Sequence, residues 1–269
     1  MPTDYWREKV VLITGGTSGL GLAIARGFAA AGAHLALVGL EEEGVWQAVE
    51  EFATSGTEVL GLHADITNQE QVDSLITQTI DRFGHLDVLV NNAGRSMRGK
   101  VLETTPEQFQ SLFDLNALAT IRCTKAAVPH LLKQQGHVVN IGSLAAKSAS
   151  RWTGAYPVSK HAVAAFSQQL RLELGEEGLH VLLVCPGPIK RDDPRLYPLE
   201  GLEDIPERAR QPGAGVKVRG IPVERLVAKI LQSCEQHRAE LVMPWKARLL
   251  FAAAQLSPRL GDWLVKKNT

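Results

Sequence analysis

Apolar residues fall into two alternating patterns along this chain. Runs of four to six mostly apolar, β-favouring residues occur at Val10–Thr14, His34–Val38, Glu58–His63, Val88–Asn91, His137–Ile141, His180–Cys185 and Glu240–Met243. Between them lie longer stretches whose apolar positions recur every three or four residues: Leu20–Ala31, Val45–Ala53, Gln69–Phe83, Pro106–Gln135, Ala155–Leu174 and Val223–His237. Most of the short runs are apolar at successive positions, which predicts strands buried on both faces. The longer stretches predict amphipathic helices. Repeated strand–helix–strand order then predicts an α/β fold: a doubly wound parallel sheet of about seven strands, with right-handed crossovers and helices on both faces.

Two stretches stand outside this rhythm. Pro186–Pro222 is rich in proline and glycine and leaves the carboxyl end of a predicted strand, the edge where open α/β sheets hold ligands. It is read as a substrate lid, with a short helix around Pro206–Arg210. After the last strand, an apolar-rich helix running to Leu256 and a second helix started by Ser257 and Pro258 form a tail over about 244–269. Trp245, Leu249, Leu256, Leu260 and Leu264 make one stripe there, flanked by Lys246, Arg248, Arg259, Lys266 and Lys267. The expected partner of that stripe is the parent domain or a neighbouring subunit; a substrate mouth or peripheral membrane contact is the sharper reading. No linker or repeat divides the chain, so residues 1–269 are read as one domain.

Composition narrows the function classes. Basic and acidic residues number 29 each, which removes the electrostatic case for nucleic acid as a partner. Cys123, Cys185 and Cys234 are too few and too scattered for a disulfide framework and lack metal-ligand spacing. His63, His85, His137, His161 and His180 flank predicted elements without such spacing either, so no metal site is read. The polar start and the lack of any long apolar run suggest a cytoplasmic protein with no spanning helix.

The first strand runs into Thr14-Gly15-Gly16-Thr17-Ser18-Gly19-Leu20-Gly21 and then a helix. Glycines there let the backbone turn tightly and approach a pyrophosphate, and the helix start supplies free N–H groups and partial positive charge. This strand–turn–helix context is Rossmann-like and points to a dinucleotide. At the end of the second strand, where an acidic residue would bind ribose hydroxyls or an arginine a 2′-phosphate, stand Gly39 and Leu40, which do neither. Glu41, Glu42 and Glu43 follow, and tilt the choice between NAD and NADP toward NAD.

Tyr156 and Lys160 are four residues apart, which on a helix places them on one face, one turn apart. A free phenol titrates near about 10, and a neighbouring cation stabilises its phenolate. Pro157 suits a helix start. Ser143 ends the fifth strand and either caps a turn or holds a substrate oxygen. Asn91-Asn92-Ala93-Gly94 follows the fourth strand and would line the same cleft. Asn116 lies inside a predicted long helix, where an amide needs partners.

Taken in order, the glycine segment, Asp65 in Ala64-Asp65-Ile66-Thr67, Asn91–Gly94, Asn116, Ser143, Tyr156–Lys160 and Pro186-Gly187 resemble the short-chain dehydrogenase/reductase family, closely over residues 8–190. The resemblance implies a carbonyl/alcohol oxidoreductase using NAD or NADP, with Asn116, Ser143, Tyr156 and Lys160 as its catalytic set. Tyr156 would exchange the proton and Ser143 orient the reacting oxygen. Lys160 would lower the tyrosine pKa and bind the nicotinamide ribose, and Asn116 would hold a water linking Lys160 to solvent. The implied cofactor set is Gly15, Thr17, Ser18, Gly19, Leu20, Gly21, Asp65 and Ile66 near the adenine, Asn92, Ala93, Gly94, Tyr156, Lys160, Pro186, Gly187 and Ile189. The threonine common after the Pro-Gly pair is missing, since Pro188 and Ile189 stand there. The tail is loosely similar to hydroxysteroid-dehydrogenase-like members, which implies a bulky apolar small-molecule substrate. The two long predicted helices resemble those of a two-fold interface and imply a homodimer or homotetramer. The alternative reading is a non-catalytic dinucleotide-binding module that docks a partner or membrane through lid and tail. A serine hydrolase has little support, since the chain lacks a GxSxG elbow.

Overall fold

The computed structural model describes residues 4–53, 56–190, 205–211, 213–216 and 219–268. Residues 191–204, 212, 217 and 218 of the expected lid lie outside them. Seven parallel strands form one sheet in the order β3-β2-β1-β4-β5-β6-β7. They are β1 Val10–Thr14, β2 His34–Gly39, β3 Val59–His63, β4 Val88–Asn91, β5 His137–Ile141, β6 His180–Pro186 and β7 Glu240–Met243. The strand order reverses between β1 and β4, where Thr14 pairs with Asn91 at the carboxyl ends. A crevice at such a switch point is the ligand position of an open α/β sheet.

Alternation along each strand divides the core. Val11 and Ile13 of β1 face one side with Leu35 and Leu37 of β2. Helices α1 (Gly19–Ala30), α2 (Glu42–Phe52) and α7 (Val223–Glu235) cover that side with Ile24, Phe28, Phe52, Leu226 and Ile230. Val10, Leu12, Ala36 and Val38 face the other side, under α3 (Gln69–Phe83), α5 (Ala119–Lys133) and α6 (Tyr156–Leu174). Successive apolar residues are needed because neighbours in a strand point to opposite, equally buried faces.

Three expectations from the sequence shift. Helix α2 starts at Glu42, before the first apolar residue, because Glu42 and Glu43 suit the positive end of a helix. The stretch 106–135 is not one regular helix: α4 (Pro106–Phe113) and α5 are joined by a π-helical segment at Asp114–Leu118. Periodicity cannot show a single inserted residue, and here the insertion accompanies Asn116. In the tail, α8 (Ala247–Leu256) docks through Ala247 and Phe251, one turn apart, on the cluster with Cys185 and Val242. Trp245, Leu249, Leu256 and Leu260 therefore remain exposed, as does Trp263 of α9 (Pro258–Asn268). Other expectations hold: a short 3-10 turn spans Glu207–Arg210, and Ser257 Oγ accepts from Leu260 N at the start of α9.

The amino-terminal segment is anchored by Trp6. Its ring is buried edge-on against Tyr5 and Phe28, with centroids 4.7 and 4.9 Å away, and Nε1 donates to Glu235 Oε1 at 2.7 Å. Trp6→Ala is expected to cost about 3–5 kcal/mol, read as a lowered denaturant midpoint. A loss within a few tenths of a kcal/mol would contradict this anchoring.

Candidate active site

The β1–α1 turn has the geometry its glycines allow. Gly15 and Gly19 adopt φ of 60° and 54°. A Cβ on Gly21 would lie 1.9 Å from Gly15 O, so the turn closes only with glycine there. A Cβ on Gly19 would meet nothing within 4 Å: this side of the loop is open. Ser18 is the N-cap of α1 but makes no side-chain cap bond, which leaves the first N–H groups of the helix for another acceptor.

The turn is tied to the end of β4 by a residue that sequence reasoning passed over. Thr14 Oγ1 accepts from the backbone N–H of Asn92 and of Ala93, at 3.0 and 3.1 Å. Asn92 Nδ2 donates back to Thr14 O and Gly15 O, each at 3.0 Å. The early sign of Thr14 was its place beside the glycines. Asp65 is close to the end of β3, with Oδ1 accepting from Thr67 N at 2.9 Å and from Thr67 Oγ1 at 2.7 Å. Ile66 buries its side chain in the core beneath α3. At the end of β2, a Cβ on Gly39 would come within 2.7 Å of Thr17 Cγ2, while Leu40 and Glu41–Glu43 are exposed.

Around Gly94 the remaining elements converge. A Cβ there would lie 2.8 Å from Asn116 Oδ1 and 3.7 Å from Lys160 Nζ. Asn116 is buried on the π-helical segment, where its carboxamide is held from two sides. Oδ1 accepts from Arg95 N at 2.9 Å, and Nδ2 donates to Arg95 O and Ser159 Oγ, each at 2.9 Å. Ser159 Oγ in turn donates to Tyr156 O at 2.8 Å, so Asn116 steadies the first turn of α6. Tyr156 is the first residue of that helix and half-buried. Lys160, only 5% exposed, donates from Nζ to Ile141 O at 2.7 Å. Ser143 lies two residues beyond Ile141 and caps a 3-10 turn, its Oγ accepting from Ala145 N at 3.1 Å.

The expected lid begins at the same edge. Gly187 N donates to Met243 O at 2.7 Å, which places the start of the tail beside the Pro186–Gly187 turn. Lys190 N donates to Ile221 O and Ile221 N to Pro188 O, each at 2.8 Å, so the two ends of the expected lid run together and Ile189 packs inward. Arg98, also unforeseen, is buried and holds the segment between: Nε donates to Ala209 O at 2.7 Å and a terminal nitrogen to Gln211 O at 2.9 Å. Ile205 and Ala209 pack on Trp152.

Residues 9–193 match the family described as short chain dehydrogenase. The chain belongs to that family. An uncharacterised oxidoreductase of Staphylococcus epidermidis is 34% identical over 184 residues, covering 68% of this chain and 79% of that protein. The L-fucose dehydrogenase of Mus musculus is 36% identical over 204 residues, 72% of this chain and 73% of that protein. A short chain dehydrogenase/reductase from Burkholderia phymatum, solved in complex with NAD, superposes with a TM-score of 0.83 over 95% of each chain at 23% identity, a likeness of fold. This short chain dehydrogenase is thus an oxidoreductase of the alcohol/carbonyl class, and its open glycine turn with uncapped helix N–H groups fits a nicotinamide dinucleotide.

Burial sets the electrostatics of the site. Desolvation lowers the Lys160 pKa from 10.5 to about 8. Below about pH 8 the folded and unfolded chains are both protonated there, and the fold carries the full cost of the buried ammonium. Between about 8 and 10.5 the folded chain has released its proton and the unfolded chain has not, so this cost fades as pH rises. Lys160→Met is therefore expected to be more stable than the wild type at pH 7, by an amount on the order of 1–3 kcal/mol after loss of the bond to Ile141 O. The difference should shrink toward pH 10. Denaturant midpoints at both pH values test this, and a difference that widens with pH would refute it.

Proposed function

We propose that this enzyme interconverts an alcohol and a carbonyl on an apolar or bulky small molecule, with Tyr156 as the general acid/base. The observation that carries the reading is the buried Lys160 one turn beyond Tyr156, close to the strand end that carries Ser143. An ammonium in so dry a place is costly, and a negative charge forming on a nearby oxygen is what would offset it. Tyr156 also stands at the positive end of a 19-residue helix, which again favours negative charge on its oxygen.

In this reading Tyr156 accepts the substrate's hydroxyl proton during oxidation and returns it during reduction. Ser143 accepts from Ala145 N with a lone pair, which leaves its own proton available to a substrate oxygen. Asn116 acts as a positioning residue through Ser159 and, as the family resemblance implies, holds a water that passes protons between Lys160 and solvent. The dinucleotide would be held by Gly15, Thr17–Gly21, Asp65, Ile66, Asn92–Gly94, Tyr156, Lys160, Pro186, Gly187 and Ile189. When bound, it supplies the redox chemistry at the substrate carbon. Neither Gly39 nor Leu40 carries a positive charge, Thr17 fills the space over Gly39, and Glu41–Glu43 follow, all of which favours NAD over NADP.

An apolar substrate suits the surroundings. Leu144 and Pro244 flank Gly187, Pro188 follows it, Trp152 seats Ile205 and Ala209, and the tail leaves the Gly187 edge with Trp245 and Leu249 exposed. Val158 and Leu172 are exposed along α6, which supports assembly into a homodimer or homotetramer through that helix. Among the described residues no helix is long and apolar enough to cross a membrane, and the three cysteines are free and buried, as suits a reducing cytoplasm.

Tyr156→Phe is expected to lower kcat by about 10²–10⁴-fold while coenzyme binding, followed by nicotinamide fluorescence, stays within a few fold. Turnover close to wild type would sink the mechanism; no turnover in either protein with any of a panel of apolar ketones would favour a binding module. In the wild type, kcat/KM should be higher with NAD than with NADP, and the reverse order would overturn the coenzyme assignment.

A further inference from the structure

The amino edge of the sheet, opposite the cleft, holds a second group of chemically active side chains. His137 opens β5 and His180 opens β6, and the two are partners in the parallel register. Their Nδ1 atoms face each other at 2.7 Å. Each outward nitrogen is anchored: His137 Nε2 meets Tyr5 Oη at 2.8 Å, and His180 Nε2 meets Arg238 O at 2.9 Å. Cys234, at the end of α7, completes a group of three whose ligand atoms all lie within 4.8 Å of one another. These residues are 1%, 7% and 0% exposed.

The protons in this group can be placed. A carbonyl only accepts, so His180 carries its proton on Nε2 and its Nδ1 is bare. His137 must then donate from Nδ1 to His180, which leaves its Nε2 to accept from the Tyr5 hydroxyl. In this state a single proton lies between the two Nδ1 atoms, with the Cys234 thiol in the same group. Moving that proton from Nδ1 to Nε2 of His137, where Tyr5 Oη accepts it, gives two bare inward nitrogens, each backed by an oxygen that receives the other ring N–H. That is the arrangement in which proteins orient metal-binding imidazoles.

We propose that His137, His180 and Cys234 bind a borderline-soft divalent cation of the zinc type, at a structural site remote from the cleft. Two imidazole nitrogens and one thiolate suit such an ion. Tetrahedral geometry at Zn–N of about 2.0–2.1 Å separates the nitrogens by roughly 3.3 Å, so the rings must part by about half an ångström. Entry is from a cavity of about 540 Å³ lined by Tyr5, Lys9, Arg171, His180 and His237. The exposed His237 ring lies with its centroid 5.4 and 5.0 Å from those of His137 and His180, and it or a water would take the fourth position. Charge balances with one proton lost to solvent per cation, from the Cys234 thiol, since the His137 proton only changes nitrogen. The bound ion would clamp the amino-terminal segment, β5, β6 and the end of α7 together. None of this was legible in local spacing, because the ligands come from three separate elements.

The test uses the full chain after chelator treatment, titrated with Co(II) alone and then displaced by Zn(II). Expected are one equivalent bound, a thiolate-to-cobalt charge-transfer band with intense tetrahedral visible bands, and one proton released per ion by calorimetry in two buffers. Cys234→Ser should lose the charge-transfer band, and His180→Gln should lose stoichiometric binding. Zinc should raise the thermal midpoint of the wild type and of Tyr156→Phe alike. Absence of the charge-transfer band in the folded wild type would overturn the proposal. So would a weak octahedral spectrum, or binding that survives in His180→Gln. If either variant fails to fold, the wild-type spectrum and proton count still decide.

Discussion

Covering both faces of a parallel sheet with helices leaves polar groups little room to gather except at the two rows of strand ends. Most strands of this protein are apolar at successive positions through most of their length, so the sheet's interior offers almost no chemistry. The side chains that can donate, accept or carry charge collect above the carboxyl ends and below the amino ends. The carboxyl edge holds Asn92, Ser143, Lys160 and the turn after Pro186; the amino edge holds His137 and His180. The reversal of strand order between β1 and β4 opens the first of these edges into a crevice, and Thr14 and Asn92 lace its two walls together.

Within the crevice, stability has been traded for position. Lys160 is buried against the carbonyl of Ile141, and the Asn116 amide bonds both Arg95 and Ser159 from a π-helical segment. Together they hold the first turn of α6 against the ends of β4 and β5, so Tyr156 starts from a backbone that is fixed on several sides. A buried network continues beneath: Asn91 donates to Thr124 and Asn140, and Asn140 to Ser167. It joins β4 and β5 to α5 and α6 with hydrogen bonds that a slipped register would break.

The 205–211 segment is attached differently. Arg98 reaches from the turn after β4 to two carbonyls of the 205–211 segment, and Trp152 supplies an apolar seat for Ile205 and Ala209. Neither Arg98 nor Trp152 is on a strand, so their hold on this portion of the expected lid comes from outside the sheet. Such a division lets this segment and the tail vary without disturbing the contacts around Asn116 and Lys160.

The amino-acid sequence by itself determined the strands, most helix boundaries and the order of the short chain dehydrogenase motifs. These depend on local physics: the period of burial, glycine at turns that tolerate nothing larger, proline at a helix start. The candidates Gly15–Gly21, Asn92–Gly94, Ser143, Tyr156 and Lys160 could be placed in advance at strand ends and helix starts, because the pattern locates those elements. Only the tertiary structure decided what joins across elements. Thr14 binding Asn92, Arg98 holding the 205–211 segment, the break in the long helix at Asn116 and the meeting of His137, His180 and Cys234 all link residues far apart in the chain. Their spacing follows from how helices of unequal length return the chain to the sheet, and no local period records that.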